Sequence, residues 1–150
     1  MKKIIRTSED IKRTLIDTLK KNNLKLTRQR LAIVEILSND RSHSSAHTIF
    51  EKVRKKVPSV SLSTVYLTLN LFKGEGAIKE LEFYDRENRY ESDVTDHLDL
   101  VCLGCGRIVN YNEPIPMLKE RVEKKTGFVM NRMRYEYYGY CKNCGRKKVN

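Results

Sequence analysis

The amino-acid sequence predicts an α+β fold in two units, a mainly helical first part followed by a smaller second part of short strands around one helix. Three observations carry that prediction. Apolar residues recur at helical spacing as far as Phe72 and then give way to short runs. Four cysteines fall as two pairs, Cys102-x-x-Cys105 and Cys141-x-x-Cys144, both in the second part. Charge is unevenly spread: the 150 residues carry 30 Lys plus Arg against 19 Asp plus Glu, and residues 1–60 alone hold fifteen basic and six acidic side chains.

The elements follow in order. Thr7-x-x-Asp10 reads as a capping box, with Ile11, Leu15 and Leu19 continuing at helical spacing up to Asn22-Asn23. Thr27 caps a second helix carrying Leu31, Val34 and Leu37, which stops near Asn39-Asp40. Ser44 or Ser45 starts a third, whose Ala46, Ile49, Phe50, Val53 and Val57 form one apolar face and which Pro58 ends. Ser61 opens a fourth, with Leu62, Val65, Leu69 and Phe72 inward and Gly74 and Gly76 closing it. Ala77 to Tyr84 and Arg89 to Glu91 read as two strands around the turn Asp85-Arg86-Glu87-Asn88. Short helices followed by a hairpin are the winged helix-turn-helix pattern, here over residues 1–92, and its fourth helix lies in the DNA major groove.

Two features make nucleic acid the expected partner of this first domain. A basic segment suits a polyanion, because each neutralised phosphate releases counterions, and Arg28 and Arg30 are candidates for that role. With its apolar side inward, the fourth helix presents Ser63, Leu67 and Asn70 outward, with Thr64 and Tyr66 at the margins. That face suits base edges and thymine methyl groups.

Asp93-Val-Thr-Asp96 is a polar join without hydrophobic period, and residues 93–150 form the second domain. Leu98 to Val101 and Arg107 to Tyr111 flank the first cysteine turn as strands. Met117 to Thr126 reads as a helix with Leu118 and Val122 inward, and Phe128 to Tyr140 as an alternating strand that delivers the second turn. Two Cys-x-x-Cys turns, each followed by Gly, supply four thiolates to one tetrahedral metal, and ligand softness and spacing favour structural zinc. Rubredoxin-like iron uses the same four ligands. At this size the domain is marginal alone, so the metal staples it and self-association buries its strand faces.

Together, Thr27-Arg-Gln-Arg30, His43-Ser-Ser-Ala46, Ser61-Leu-Ser-Thr64-Val65-Tyr66-x-x-Leu69, Gly76, Arg89-Tyr-Glu91, Asp96-His97 and the two cysteine turns resemble the ferric uptake regulator family. The similarity runs from about residue 8 to residue 146, in the family's order and spacing. It implies a homodimeric, metal-dependent transcription regulator, usually a repressor, with an N-terminal winged helix and a C-terminal α/β dimerisation domain. It also implies a regulatory site for Fe(II), Mn(II) or Zn(II) whose ligand positions fall on His43, Glu91, His97, Asp99 and Asn110. Two of these depart from the family pattern: Asp99 stands where a second His is usual, and Asn110 where a carboxylate is usual. Carboxylate in place of imidazole makes the site harder and favours manganese or iron. Asn for carboxylate removes a charge and weakens binding. The peroxide-sensing branch of the family oxidises metal-bound histidines at the positions of His43 and His97.

Other function classes find less in the sequence. A four-cysteine electron carrier and a zinc-ribbon RNA-binding module are the alternatives that the cysteines alone leave open. No Ser/His/Asp order, phosphate-cradling Gly loop or carboxylate dyad suggests an enzyme. The most apolar stretch, Leu31 to Leu37, is short and carries Glu35, and the N-terminus has no apolar signal core, so a cytoplasmic protein is expected.

Overall fold

A computed structural model describes residues 6–83, 86–112, 118–130 and 133–145, with the side chain of Leu118 left undescribed. The chain divides between Val94 and Thr95 into two compact units.

The first unit is built on four helices: α1 (Ser8–Lys21), α2 (Arg28–Asn39), α3 (Ala46–Arg54) and α4 (Leu62–Gly74). Each begins at a hydroxyl cap. The side chains of Thr7, Thr27, Ser45 and Ser61 accept from the backbone N–H three residues on, satisfying donors that the helix itself cannot. At α1 the box is complete, because Asp10 returns the bond to the N–H of Thr7. Ile11, Leu15, Ile33, Val34, Ile49, Val53, Val65, Leu69 and Phe72 are fully buried and make one core. Burial of each large apolar side chain contributes about 1.5–3 kcal/mol, which is what holds short helices together. Two strands, β1 (Lys79–Leu81) and β2 (Arg89–Glu91), pair antiparallel behind α4 as the wing. The second edge of β2 is also used: the N–H of Tyr90 donates to the carbonyl of Ser44 (3.0 Å), and Ser45 bridges Arg89.

Several expectations need correcting here. α3 stops at Arg54, before Pro58, because Lys55 and Lys56 already turn and the N–H groups of Lys56 and Val57 both donate to Val53. Leu31 is an exposed residue, and the buried side of α2 is Ala32, Ile33, Val34, Leu37 and Ser38. β1 is three residues long, since β2 offers partners only to Lys79–Leu81. Tyr84 and Asp85 of the expected strand and turn lie outside the described residues. Just after β2, the hydroxyl of buried Ser92 donates to the carbonyl of Leu37 (2.7 Å).

The second unit is a mixed three-stranded sheet in the order β4-β3-β5, from β3 (Leu98–Cys102), β4 (Ile108–Tyr111) and β5 (Tyr135–Gly139), with α5 (Leu118–Thr126) in the crossover. A short final helix, α6 (Lys142–Gly145), follows β5. β3 runs antiparallel to β4 and parallel to β5. The alternating stretch 128–140 is a strand only over Tyr135–Gly139, because β3 supplies no ladder beyond it, and Phe128 and Val129 stand exposed. Met117 and Arg132 lie outside the described residues, and Val122 is half-buried. Val101 and Ile108 are buried on one side of the sheet, whereas Leu100, Val109 and Tyr137 form an exposed apolar row across the other. Among the described residues no helix is long and apolar enough to cross a membrane.

Candidate metal centres and nucleic-acid face

The parallel pairing of β3 with β5 explains how distant cysteines meet. Cys102 sits opposite Gly139 at the end of the ladder, so both cysteine turns leave the same end of the sheet. The sulfurs of Cys102, Cys105, Cys141 and Cys144 all lie within 4.8 Å of one another. Cys105 and Cys141 are 3.9 Å apart, close to the edge of about 3.8 Å that a zinc tetrahedron with Zn–S bonds of about 2.3 Å requires. Two glycines make room. A Cβ on Gly104 would stand 2.9 Å from the Cβ and sulfur of Cys144, and Gly106 takes φ +70 to close the first turn.

Charge at the cluster is shaped by backbone amides. The Cys141 N–H donates to the sulfur of Cys102 (3.2 Å). That bond, with further ones from Cys105 and Gly104, holds the Cys102 thiol down to about 6. Cys144 is pushed up to about 12, first by its contact with Cys141 and then by the other sulfurs. Four thiolates this close repel one another unless a cation neutralises them, so the donor set fits a structural zinc.

A second type of arrangement occurs once in each unit. In the first, buried His43 places Nε2 3.3 Å from Oε1 of buried Glu91. His43 lies in the loop between α2 and α3 with φ +53, the left-handed region, which costs a side-chain-bearing residue about 1–2 kcal/mol. In the second unit, buried His97 places Nε2 3.2 Å from Oδ1 of Asp99 on β3. The carbonyl of Thr95 accepts from Nδ1 of His97 (2.8 Å), which orients the ring with Nε2 toward Asp99. An imidazole nitrogen set beside a buried carboxylate oxygen is a donor pair suited to a shared cation, and nitrogen–oxygen donors fit Mn(II) or Fe(II). Asn110 stands opposite Asp99 in the β3–β4 register. His47 is exposed, 4.0 Å from Glu87, and takes part in neither pair.

The outer face of α4 is as the sequence orders it. Ser63, Tyr66, Leu67 and Asn70 are exposed and Thr64 is half-buried, its N–H bonded to the Ser61 cap. Leu67, the apolar member of this face, is 71% exposed. Arg28 is exposed, while Arg30 is half-buried and donates to the carbonyl of Lys25 (2.8 Å).

The model of the ferric uptake regulator family matches residues 21–138. The chain belongs to that family. It is 34% identical to the peroxide operon regulator of Bacillus subtilis strain 168 over 134 residues, covering 89% of this chain and 92% of the relative. Among solved structures, the Helicobacter pylori ferric uptake regulator, described with three functional metal-binding sites, superposes with a TM-score of 0.76 at 31% identity over 95% of this chain and 97% of that one. The Campylobacter jejuni peroxide stress regulator gives 0.71 at 31% identity, over 87% and 98%. As a ferric uptake regulator family member the protein is a metal-responsive transcription regulator, and the electron-carrier and RNA-module alternatives are not favoured.

Sequence reasoning missed the side chains that brace these donors. The Asp40 carboxylate accepts from Ser42, Ser44 and Lys52 around the His43 loop. Under the wing, half-buried Glu80 accepts from Lys73 (2.5 Å), Asn88 (3.1 Å) and Tyr90 (3.0 Å), tying α4 to the strand that carries Glu91. Burial pushes the Tyr90 hydroxyl well above its ordinary range and the Glu80 carboxylate beside it adds to the effect, so that hydroxyl stays a donor. An isolated acidic residue in a charged sequence gives no such signal.

Proposed function

We propose that the protein is a homodimeric repressor that tightens on a near-palindromic DNA operator in the cytoplasm when a regulatory divalent metal is bound. The observation that carries this reading is the pair of buried imidazole–carboxylate contacts, one in each unit. His43 and Glu91 would serve as donors from the DNA-binding domain (residues 1–92). His97 and Asp99, with Asn110 beside them, would serve from the dimerisation domain (residues 93–150). A divalent ion supplies the positive charge that lets such donors converge on one point. Ligands drawn from both domains bias the angle between them, which converts metal occupancy into the spacing of two reading helices. Structural zinc on Cys102, Cys105, Cys141 and Cys144 keeps the second domain folded, and the open apolar row of Leu100, Val109 and Tyr137 supports a second copy as its cover.

On DNA, Arg28 and Arg30 would meet phosphates, while Ser63, Thr64, Tyr66 and Asn70 meet base edges and Leu67 a thymine methyl. Asn70→Ala or Tyr66→Ala is then expected to reduce discrimination between operator and random DNA by about 1–3 kcal/mol while leaving random binding nearly unchanged. Equal losses on both DNAs, measured by fluorescence anisotropy, would remove α4 as the reader.

The reading as a whole is tested by metal content and DNA binding before and after chelation, with Mn(II) or Fe(II) restored anaerobically. Operator binding should fall on chelation and return with either ion, and should weaken steeply with salt. Similarity to the B. subtilis peroxide operon regulator supports a second reading in which peroxide is the signal. In that case iron-loaded protein treated with peroxide should gain an oxygen atom on the peptides carrying His43 and His97.

A further inference from the structure

We infer that Asp40 is the positioning residue for His43: its carboxylate clamps the loop 41–45 so that the imidazole meets Glu91 before any metal arrives. The inference rests on the regulatory-site reading above. Asp40 closes α2, its own N–H still bonded to Ile36 (2.9 Å), so its side chain starts from a rigid element. One carboxylate oxygen accepts from the N–H (2.8 Å) and hydroxyl (2.5 Å) of Ser42. The other accepts from the hydroxyl of Ser44 and from Nζ of Lys52 on α3 (3.0 Å). Lys52 also reaches the Ser44 hydroxyl (3.0 Å), closing the network. The residues on both sides of His43 are therefore held by one carboxylate anchored to two helices.

The result is visible in the backbone. His43 is one of two non-glycine residues with positive φ among those described, and the other, Asn23, merely ends a helix. A histidine keeps that conformation only where its surroundings impose it. With the loop so held, the carbonyl of Ser44 receives the N–H of Tyr90, which places the loop against the strand that carries Glu91. Burial opposes ionisation of Asp40, yet the bonds from Ser42, Ser44 and Lys52 outweigh it and hold the carboxyl at about 2, so the clamp stays charged at neutral pH. Asp40 touches no metal donor itself. Its effect passes through backbone geometry.

The test uses the full-length, zinc-loaded protein with Mn(II) as probe under anaerobic conditions. Asp40→Ala should weaken Mn(II) binding by about tenfold or more, the usual scale for losing a group that orients a ligand. Zinc content and metal-free DNA binding should stay unchanged. Added to His43→Ala, the same substitution should change residual Mn(II) binding less than about twofold, because the residue it positions is already gone. Ser44→Ala, which removes the Ser44 hydroxyl's bonds to Asp40 and Lys52 but no charge, should move affinity the same way by less, and decides the matter if Asp40→Ala does not fold. Hydrogen exchange of the metal-free protein should show faster exchange at Ser42 and Tyr90 in both variants. Unchanged Mn(II) affinity, or an equal loss in the His43→Ala background, would overturn the clamp. If wild-type protein takes up no Mn(II) beyond zinc, the regulatory reading itself fails. Exchange then decides: faster exchange at Ser42 and Tyr90 supports the clamp, and unchanged exchange overturns it.

Discussion

Cys102→Ser is expected to cost the protein its zinc, the fold of its second unit and the proposed dimer in one step. A structural zinc contributes about 10 kcal/mol or more of folding free energy in small domains. That exceeds what three short strands and two short helices could supply alone. Cys102 is the most buried of the four, terminates β3 and takes the N–H of Cys141 on its sulfur, so it links the metal to both strands of the parallel pair. A serine hydroxyl there is a poor zinc ligand and leaves three mutually repelling thiolates. The first unit has its own buried core and should keep its helical signal. Zinc per chain by mass spectrometry, circular dichroism and sedimentation would together report the outcome. One zinc per chain with an intact dimer would sink the four-cysteine assignment.

How much of this was legible depends on whether the determinant was local. The helix starts were, because a Thr or Ser cap acts within three residues, and all four hydroxyl caps fall at the sites the sequence offers, with Ser45 chosen over Ser44. The cysteine cluster was legible too, since two Cys-x-x-Cys turns can satisfy one metal from any parallel or antiparallel scaffold. Which scaffold was not: nothing near Cys102 or Cys141 says that β3 and β5 run parallel. The overlong strand at 128–140 failed for the same reason. Its alternation is real, but a strand exists only where a partner edge does, and β3 is five residues long. Asp40 was read only as a helix end, because its three partners converge through the turn of the loop and the packing of α3 on α2.

His97→Ala should abolish metal-dependent tightening on DNA while leaving the cysteine zinc, the dimer and the secondary structure in place. The imidazole is buried, its Nδ1 proton is committed to Thr95, and its Nε2 faces Asp99, so no other described side chain in the second unit offers a ligand nitrogen of this kind. Asp99 and Asn110 remain in the variant, but two oxygen donors without the nitrogen bind Mn(II) or Fe(II) far more weakly. In the proposed mechanism the metal's effect on DNA affinity equals its differential affinity for the two domain arrangements, typically about 1–3 kcal/mol, or about 5–150-fold. His97→Ala should erase all of it, because one-domain binding favours neither arrangement. His43→Ala should do the same, and the double variant should be no worse than either. Asn110→Asp works in the opposite direction: a carboxylate opposite Asp99 restores a negative charge to the donor set and should raise metal affinity. Anaerobic Mn(II) and Fe(II) titrations followed by DNA binding separate these outcomes. If wild type binds operator equally well with and without added metal, the regulatory site is vestigial and the protein is a constitutive DNA binder.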